Sequence, residues 1–309
     1  MFSIITAEAA LSKLGWDLFR VLRRTPMHVV RLVILLFSLV CLAGLGSAGP
    51  LRVTASVLPI ADWARNVGGD RVSVSCVLSG GSSPHTFTPS PSDVSKLARA
   101  DVFMMIGVGL EEWAQDFITA AGRRGLIVVK LGERIGFKEG TNPHVWLDPS
   151  LAQKMVFEVA RALGSLDPES DALYEKNARL YARKIEALDR RFAPKFAALG
   201  QRSVVQFHPA FTYLLRRYGV GVLDVIEPHP GKRPSSKHLQ QIILELRKQP
   251  RRIVLLEPQL SSKAAVAVAR EAGASLVVLD PLGDLTVPSR STYLSLMEFD
   301  LNALLRSLR

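Results

Sequence analysis

Four side chains in this sequence have the types and settings to hold a divalent cation. His85 lies in the loop "SGGSSPHTFTPS" and His144 in "TNPHVWLDP", between Pro143 and Pro149. His208, in "QFHPAF", directly follows an apolar run, and so does Asp280, in "LVVLDPLG". Prolines on both sides of His144 restrict the backbone and so help to aim the ring. Three neutral imidazoles and one carboxylate would make a tetrahedral site suited to a borderline ion such as zinc. Residue types and spacing leave other roles open. A single loop histidine also serves as a surface or hydrogen-bonding residue. The gaps of 59, 64 and 72 residues between the four match no short zinc motif. Asp280 could equally cap the turn at Pro281, and Asp148, just before Pro149 and an amphipathic stretch, reads as a helix N-cap. Glu257, in "LLEPQ", ends a strand-like run and could be a supporting acid, a spare oxygen ligand or a surface acid. His229 and His238, in "PHPGKRPSSKH", read as exposed loop and helix start.

The elements that must position these residues alternate in type. Short β-branched runs ("LRVTASV", "RVSVSCVL", "DVFMMIG", "GLIVVK", then "SVVQF", "VLDVI", "RIVLLE", "SLVVLD") read as strands. Amphipathic stretches such as "PSDVSKLARA", "LEEWAQDFITAAG", "PAFTYLLRRYG", "SSKHLQQIILELRKQ" and "SKAAVAVAREAG" lie between them. This alternation predicts parallel sheets with helices on their faces, an α/β fold. The strands form two sets of four. Between the sets, Tyr174, Ala178, Tyr181, Ile185, Leu188 and Phe192 recur in steps of four and three, one stripe of a long helix. Pro168 stands near its start, and Pro194 should kink or end it. About 25 helical residues span roughly 37 Å, enough for a rigid strut between two lobes. The predicted organisation is a signal over 1–48, an N-terminal α/β lobe over 51–164, a linking helix over 165–200 and a C-terminal α/β lobe over 201–309. In parallel sheets ligands bind beyond the carboxyl ends of strands. His85, His208 and Asp280 occupy such ends.

At 309 residues, 48% hydrophobic and 22% charged, the chain can bury a substantial core. Its net charge of +11 is spread over scattered pairs such as "RRG", "RRF" and "PRR", with no long basic run or aromatic-interleaved stripe, which argues against nucleic-acid binding. Part of the charge belongs to the N-terminus. There Arg23, Arg24 and Arg31 flank the apolar run "RLVILLFSLVCLAGLGSAGP". A basic flank, an apolar core and small residues at Gly46 and Ala48 form a secretory signal cleaved after Ala48. The strongly apolar run of about 14 residues is short of the roughly 20 that a membrane span needs. Cys41 would be the lipidated residue of a lipoprotein, but Val40 precedes it where a small residue is expected. A compact signal could start at Met27. After cleavage only Cys76 remains, in an alternating run that reads as a buried strand. The exported protein therefore carries no internal disulfide.

The motifs "GGSSPHTFTPSPSDVSKLARADVFMMIGVGLEEW", "NPHVWLDP", "FHPAFTYLLRRYG", "EPQLSSKAAVAVAREAGASLVVLDPLG" and "TYLSLM" resemble, in order, those of the periplasmic zinc/manganese-binding receptors of ABC importers. The resemblance covers nearly all of the chain after the signal. It implies two α/β lobes bridged by one long helix, with the metal between them. Carried over motif by motif, it implies His85, His144, His208 and Asp280 as ligands. Manganese-type members tend to carry a carboxylate at the third ligand position, where this chain has His208, so the resemblance implies zinc, with manganese the alternative. One departure is plain: the histidine-rich acidic loop that many zinc members carry before the second motif is here "LGERIGFKEGTN", without histidine. The implied partner is a membrane permease with its cytoplasmic ATPase, and the implied protein is a periplasmic monomer with no enzymatic activity.

Two other functions compete with this one. An exported zinc hydrolase needs an open coordination position and a general base, for which Glu257 is the one candidate. The sequence holds no HExxH or similar cluster. A receptor for an organic ligand such as a siderophore predicts an aromatic or arginine-lined cleft and leaves the placement of the four residues unexplained. The signal reading makes a direct prediction. N-terminal sequencing of exported protein should begin at Gly49, whereas a chain starting at acylated Cys41 would show a lipoprotein.

Overall fold

The structure is a computed structural model and describes residues 49–229, 234–260 and 263–309. The expected signal, its cleavage point, Met27 and Cys41 lie outside the described residues. Strand β1 (Leu51–Val57) runs straight into helix α1 (Leu58–Gly68), and β2 (Val72–Leu78) leads through the His85 loop to α2 (Pro91–Leu97). Then follow β3 (Val102–Met105), α3 (Ala114–Ala121), β4 (Ile127–Lys130) and the short α4 (Leu131–Arg134). The four strands form one parallel sheet in the order β2-β1-β3-β4. Helix α5 (Pro149–Leu166) and the long α6 (Asp171–Ala197) come next. The second lobe holds β5 (Arg202–Gln206), α7 (Thr212–Arg217), β6 (Val220–Val225), α8 (Ser236–Arg247), β7 (Ile253–Leu256), α9 (Lys263–Ala272) and β8 (Ser275–Val278). Its sheet is also parallel, in the order β6-β5-β7-β8, and α10 (Tyr293–Leu308) closes the chain. All eight strands expected from the sequence are present. The inner strands β3 and β7 are buried along their whole length, as both faces of a parallel sheet covered by helices must be.

The two sheets share one core. It includes Val53 and Val102 of the first sheet, Val204 and Leu255 of the second, and the whole predicted stripe of α6 from Tyr174 to Phe192. Two smaller clusters lie outside it. One packs α2 and α3 against Phe103 and Met105, and the other packs α8 and α9 against Val205 and Val254. The long helix starts beside Pro168 as expected and runs past Pro194 at its end. It begins at Asp171, after a 3-10 turn over Pro168–Ser170, and Pro194 sits inside it without ending it. Pro194 lies in the last turn, where its missing N–H leaves the Arg190 carbonyl without its helical donor, yet the helix runs on to Ala197 and Phe196 continues the buried face against Tyr218, ring centroids 4.8 Å apart. Helices α1, α4 and α10 have no counterpart among the helical stretches read from the sequence, and α5 is foreshadowed only by Asp148 at its N-cap. Cys76, expected to be buried, is half-buried on β2. Its Sγ donates to the Leu78 carbonyl at 3.1 Å, and burial pushes the thiol up to about 12.

Asp62, on α1, ties this helix to two others. Its carboxylate accepts from the Tyr181 hydroxyl of α6 and from the Tyr293 backbone N–H of α10 at 3.2 Å. Burial raises its pKa, with Tyr181 as the main opposing hydrogen bond. Removing an acceptor that serves two buried donors leaves both unsatisfied, at about 1–3 kcal/mol each. Asp62→Ala should therefore destabilise the fold by about 2–4 kcal/mol in denaturant titration, and Asp62→Asn, which keeps one acceptor oxygen, by less.

Candidate metal centre

Each histidine reaches the cleft from a differently anchored backbone. The His85 loop, after β2, is pinned by Trp113, whose Nε1 donates to the Pro84 carbonyl at 2.9 Å and whose ring packs edge-on against Phe87. Gly80 in this loop, at φ 151°, passes so close to Asp284 that a Cβ there would lie 2.9 Å from its carboxyl carbon. Leu285 N donates to the Ser79 carbonyl, so the loop touches the second lobe.

His144 is set by Asn142. The Asn142 Oδ1 accepts from the His144 backbone N–H at 3.0 Å and lies 2.9 Å from its Nδ1. A hydrogen on Nδ1 leaves the Nε2 lone pair for a cation. The same Asn142 donates through Nδ2 to the Pro209 carbonyl at 2.7 Å, and its own carbonyl accepts from the Tyr213 hydroxyl. Trp146 donates to the Pro281 carbonyl at 2.7 Å, and Tyr293 donates to the Trp146 carbonyl. His208, at the carboxyl end of β5, is extended before the turn opened by Pro209. That turn is held by Gln206, whose Oε1 accepts from Phe211 N at 2.9 Å.

These anchors bring the three imidazoles together between the lobes. Their ring centroids form a near-equilateral triangle with sides of 5.2, 5.1 and 5.1 Å, and one nitrogen from each lies within 4.8 Å of the others. The Nε2 atoms of His85 and His144 are 3.3 Å apart. Among the described residues neither buried nitrogen of His208 makes a hydrogen bond of good geometry, although the Glu227 backbone lies near enough to raise its pKa. Orphaned buried donors or acceptors are uncommon. Three converging imidazoles fit a cation that accepts nitrogen lone pairs. Burial lowers the pKa of all three rings. His85 is pushed to about 4 by desolvation, and His144 well below 6.5 by desolvation and then by His208 and His85. His208 is pushed to about 4 by desolvation and then by His85, against a small opposing effect of the Glu227 backbone. The rings are thus neutral, the form that ligates.

Asp280 is not in this group of three. It is 1% exposed, and its Oδ1 accepts from Gln259 Nε2 at 2.7 Å and from the backbone N–H groups of Leu282 and Gly283 at 3.0 Å each. Its Oδ2 accepts from Arg290 Nη1 at 2.6 Å. The turn-capping role open in the sequence is realised. Glu257 is buried at the end of β7, with its pKa raised by burial and by the Asp280 charge. Asp148 caps α5 as expected, accepting from Ser150 N at 2.7 Å. His229 is exposed, and His238 Nε2 lies 2.9 Å from the Val225 carbonyl. Sequence reasoning missed Asn142, Trp146, Gln259 and Arg290. Asn142 had a usable signal, a side-chain acceptor two residues before a candidate ligand. The others meet the site only through space.

A family model described as "ZnuA: Zinc-uptake complex component A periplasmic" matches residues 53–307. The chain is 28% identical over 290 residues to the zinc-binding lipoprotein AdcA of Streptococcus pneumoniae, an alignment that covers 87% of this chain and 58% of AdcA. It thus spans little more than half the length of that relative. A crystal structure of ZnuA superposes with a TM-score of 0.74 at 27% identity, covering 84% of this chain and all of ZnuA. A Mn-bound periplasmic metal-binding protein from Candidatus Liberibacter asiaticus gives 0.75 at 25% identity, with 84% and 100% covered.

The neutral rings predict an acid-labile metal-free protein. Unfolded histidine titrates near pH ~6.5 and takes up protons that the folded rings refuse. Stability should be full above about pH 6.5 and be lost as pH falls through that value toward about 4, where His85 and His208 titrate in the fold. Denaturant midpoints of chelator-treated protein between pH 7.5 and 4.5 check this, and His144→Gln should flatten the dependence.

Proposed function

Since this chain belongs to the family of periplasmic zinc-uptake complex component A proteins, we propose that it captures a divalent transition metal, most suitably zinc, in the periplasm and delivers it to an ABC-type membrane importer. The carrying observation is the convergence of one nitrogen each from His85, His144 and His208 to within 4.8 Å of one another. The proposed ligands are these three imidazoles through nitrogen and Asp280 through a carboxylate oxygen, which Asp280 can lend only by loosening its present bonds. Four protein ligands suit capture and transfer, because they leave no position for an activated water, and no catalytic role is proposed for any residue. The printed names of relatives support zinc, and the manganese-bound neighbour supports manganese as the second ion that this fold accepts. Nitrogen-rich sites favour zinc over manganese in the usual affinity order. Among the described residues no helix is long and apolar enough to cross a membrane, which fits a receptor working beside its permease.

Elemental analysis of protein purified without added metal should find one zinc per chain, and competitive titration should rank zinc above manganese. Metal bound only by the folded state stabilises it by about 4 kcal/mol at a thousandfold excess over Kd, so a chelator should lower Tm clearly. His144→Ala should lose most of the affinity. Unchanged stoichiometry and affinity in that variant would refute the site, and tighter manganese than zinc binding would change the cargo alone.

A further inference from the structure

The surroundings of Asp280 were built to hold it, and the holder is a cation. Arg290 Nη1 lies 2.6 Å from Asp280 Oδ2, and the pair is largely removed from water, with side-chain exposures of 19% and 1%. Arg290 is itself fixed. Its N–H donates to the Val287 carbonyl at 2.8 Å, and its carbonyl accepts from Asp284 N at 3.0 Å. Its guanidinium carbon stands 5.4 Å from the centroid of the Phe299 ring. Its carbonyl also crowds Gly283, where a Cβ would lie 2.5 Å away and φ is +81°. The turn after Asp280 therefore accepts glycine and little else while Arg290 holds its place. Two further acids, Glu257 and Asp300, are buried close by, and Asp300 Oδ1 accepts from the Asp280 backbone N–H at 2.8 Å.

We infer that Arg290 is a specificity-determining residue, which competes with the captured ion for Asp280 and so makes the site choose its cargo on the three imidazoles. The inference rests on the metal-receptor reading above. A cation that draws on Asp280 must displace a charge-assisted hydrogen bond, among the stronger ones in proteins. Zinc binds imidazole nitrogen well and needs that oxygen less. Manganese, harder and more dependent on oxygen donors, bears more of the cost of displacing Arg290. The guanidinium thus sets a toll on the carboxylate, and the toll falls unequally on the two ions. A positive charge near the site would also repel any dication, but that effect acts on zinc and manganese alike, and the ratio of their affinities separates the two effects.

The test is competitive titration with zinc and with manganese, the latter also followed by electron paramagnetic resonance of Mn2+. It uses the wild type, Arg290→Gln, Arg290→Lys, and Arg290→Gln combined with Asp280→Asn. Releasing Asp280 in Arg290→Gln should tighten manganese by about tenfold and zinc by less than about threefold. The gain should vanish when Asp280→Asn is added. Arg290→Lys keeps a charge but loses the fixed planar fork, and should shift the ratio the same way by a smaller amount. It carries the test if Arg290→Gln does not fold. Equal tightening of both ions, no change in either, or a gain that survives Asp280→Asn overturns the inference while the receptor reading stands. A wild type that binds neither ion overturns the receptor reading itself.

Discussion

The site depends above all on one amide. The Asn142 side chain joins the His144 ring to the Pro209 carbonyl, the residue after His208, so a single planar group measures the distance between proposed ligands of different lobes. A flexible charge could not do this. An amide presents an acceptor and a donor in fixed directions, and here the acceptor faces His144 and the donor the second lobe. Trp146 and Tyr293 repeat the connection deeper in the protein, where Pro281 and the Trp146 carbonyl are the acceptors. The short segment around His144 thus belongs to one lobe by sequence and to both by hydrogen bonding.

Electrostatics completes this frame. Three imidazoles at contact distance would repel one another if charged, and burial already keeps them neutral. At the carboxyl edge of the second sheet, three acids, Glu257, Asp280 and Asp300, are buried near Arg290. Burial raises Glu257 and Asp300 toward the neutral form, which leaves Asp280 to pair with Arg290. A buried pair of this kind gains from its geometry only when its remaining lone pairs are bonded, and the Asp280 Oδ1 has three donors.

What was legible in the sequence follows from range. All eight strands could be read because β-branched runs bounded by glycine and polar residues are a local signal. So could the stripe of α6, since six apolar residues on one face need no partner to be recognised. Helix α1 escaped because "LPIADWARNVG" is buried on most sides and follows β1 without a break, so neither a polar face nor a turn announced it. His85 and His208 could be placed because they follow strand ends, which is a topological rule rather than a contact, whereas His144 stood out only by the prolines of its loop. Asp280 lies at such an end too, and its engagement by Arg290, ten residues on, left no mark in spacing or composition. Pro194 does not itself stop α6, which runs on to Ala197 and carries Phe196 onto Tyr218.

The division of the apolar interior into a shared centre and two satellites has a kinetic consequence. His144 and His208 hang from segments stitched to the shared centre, whereas His85 hangs from the small outer cluster through Trp113 and Phe87. Proteins open piecemeal, in the order of local stability, and small peripheral clusters open before continuous cores. A fluctuation that loosens the Phe87–Trp113 contact withdraws one nitrogen and leaves the other two in place. If these rings hold a metal as proposed, its ligands would leave one at a time, His85 first to depart and last to return.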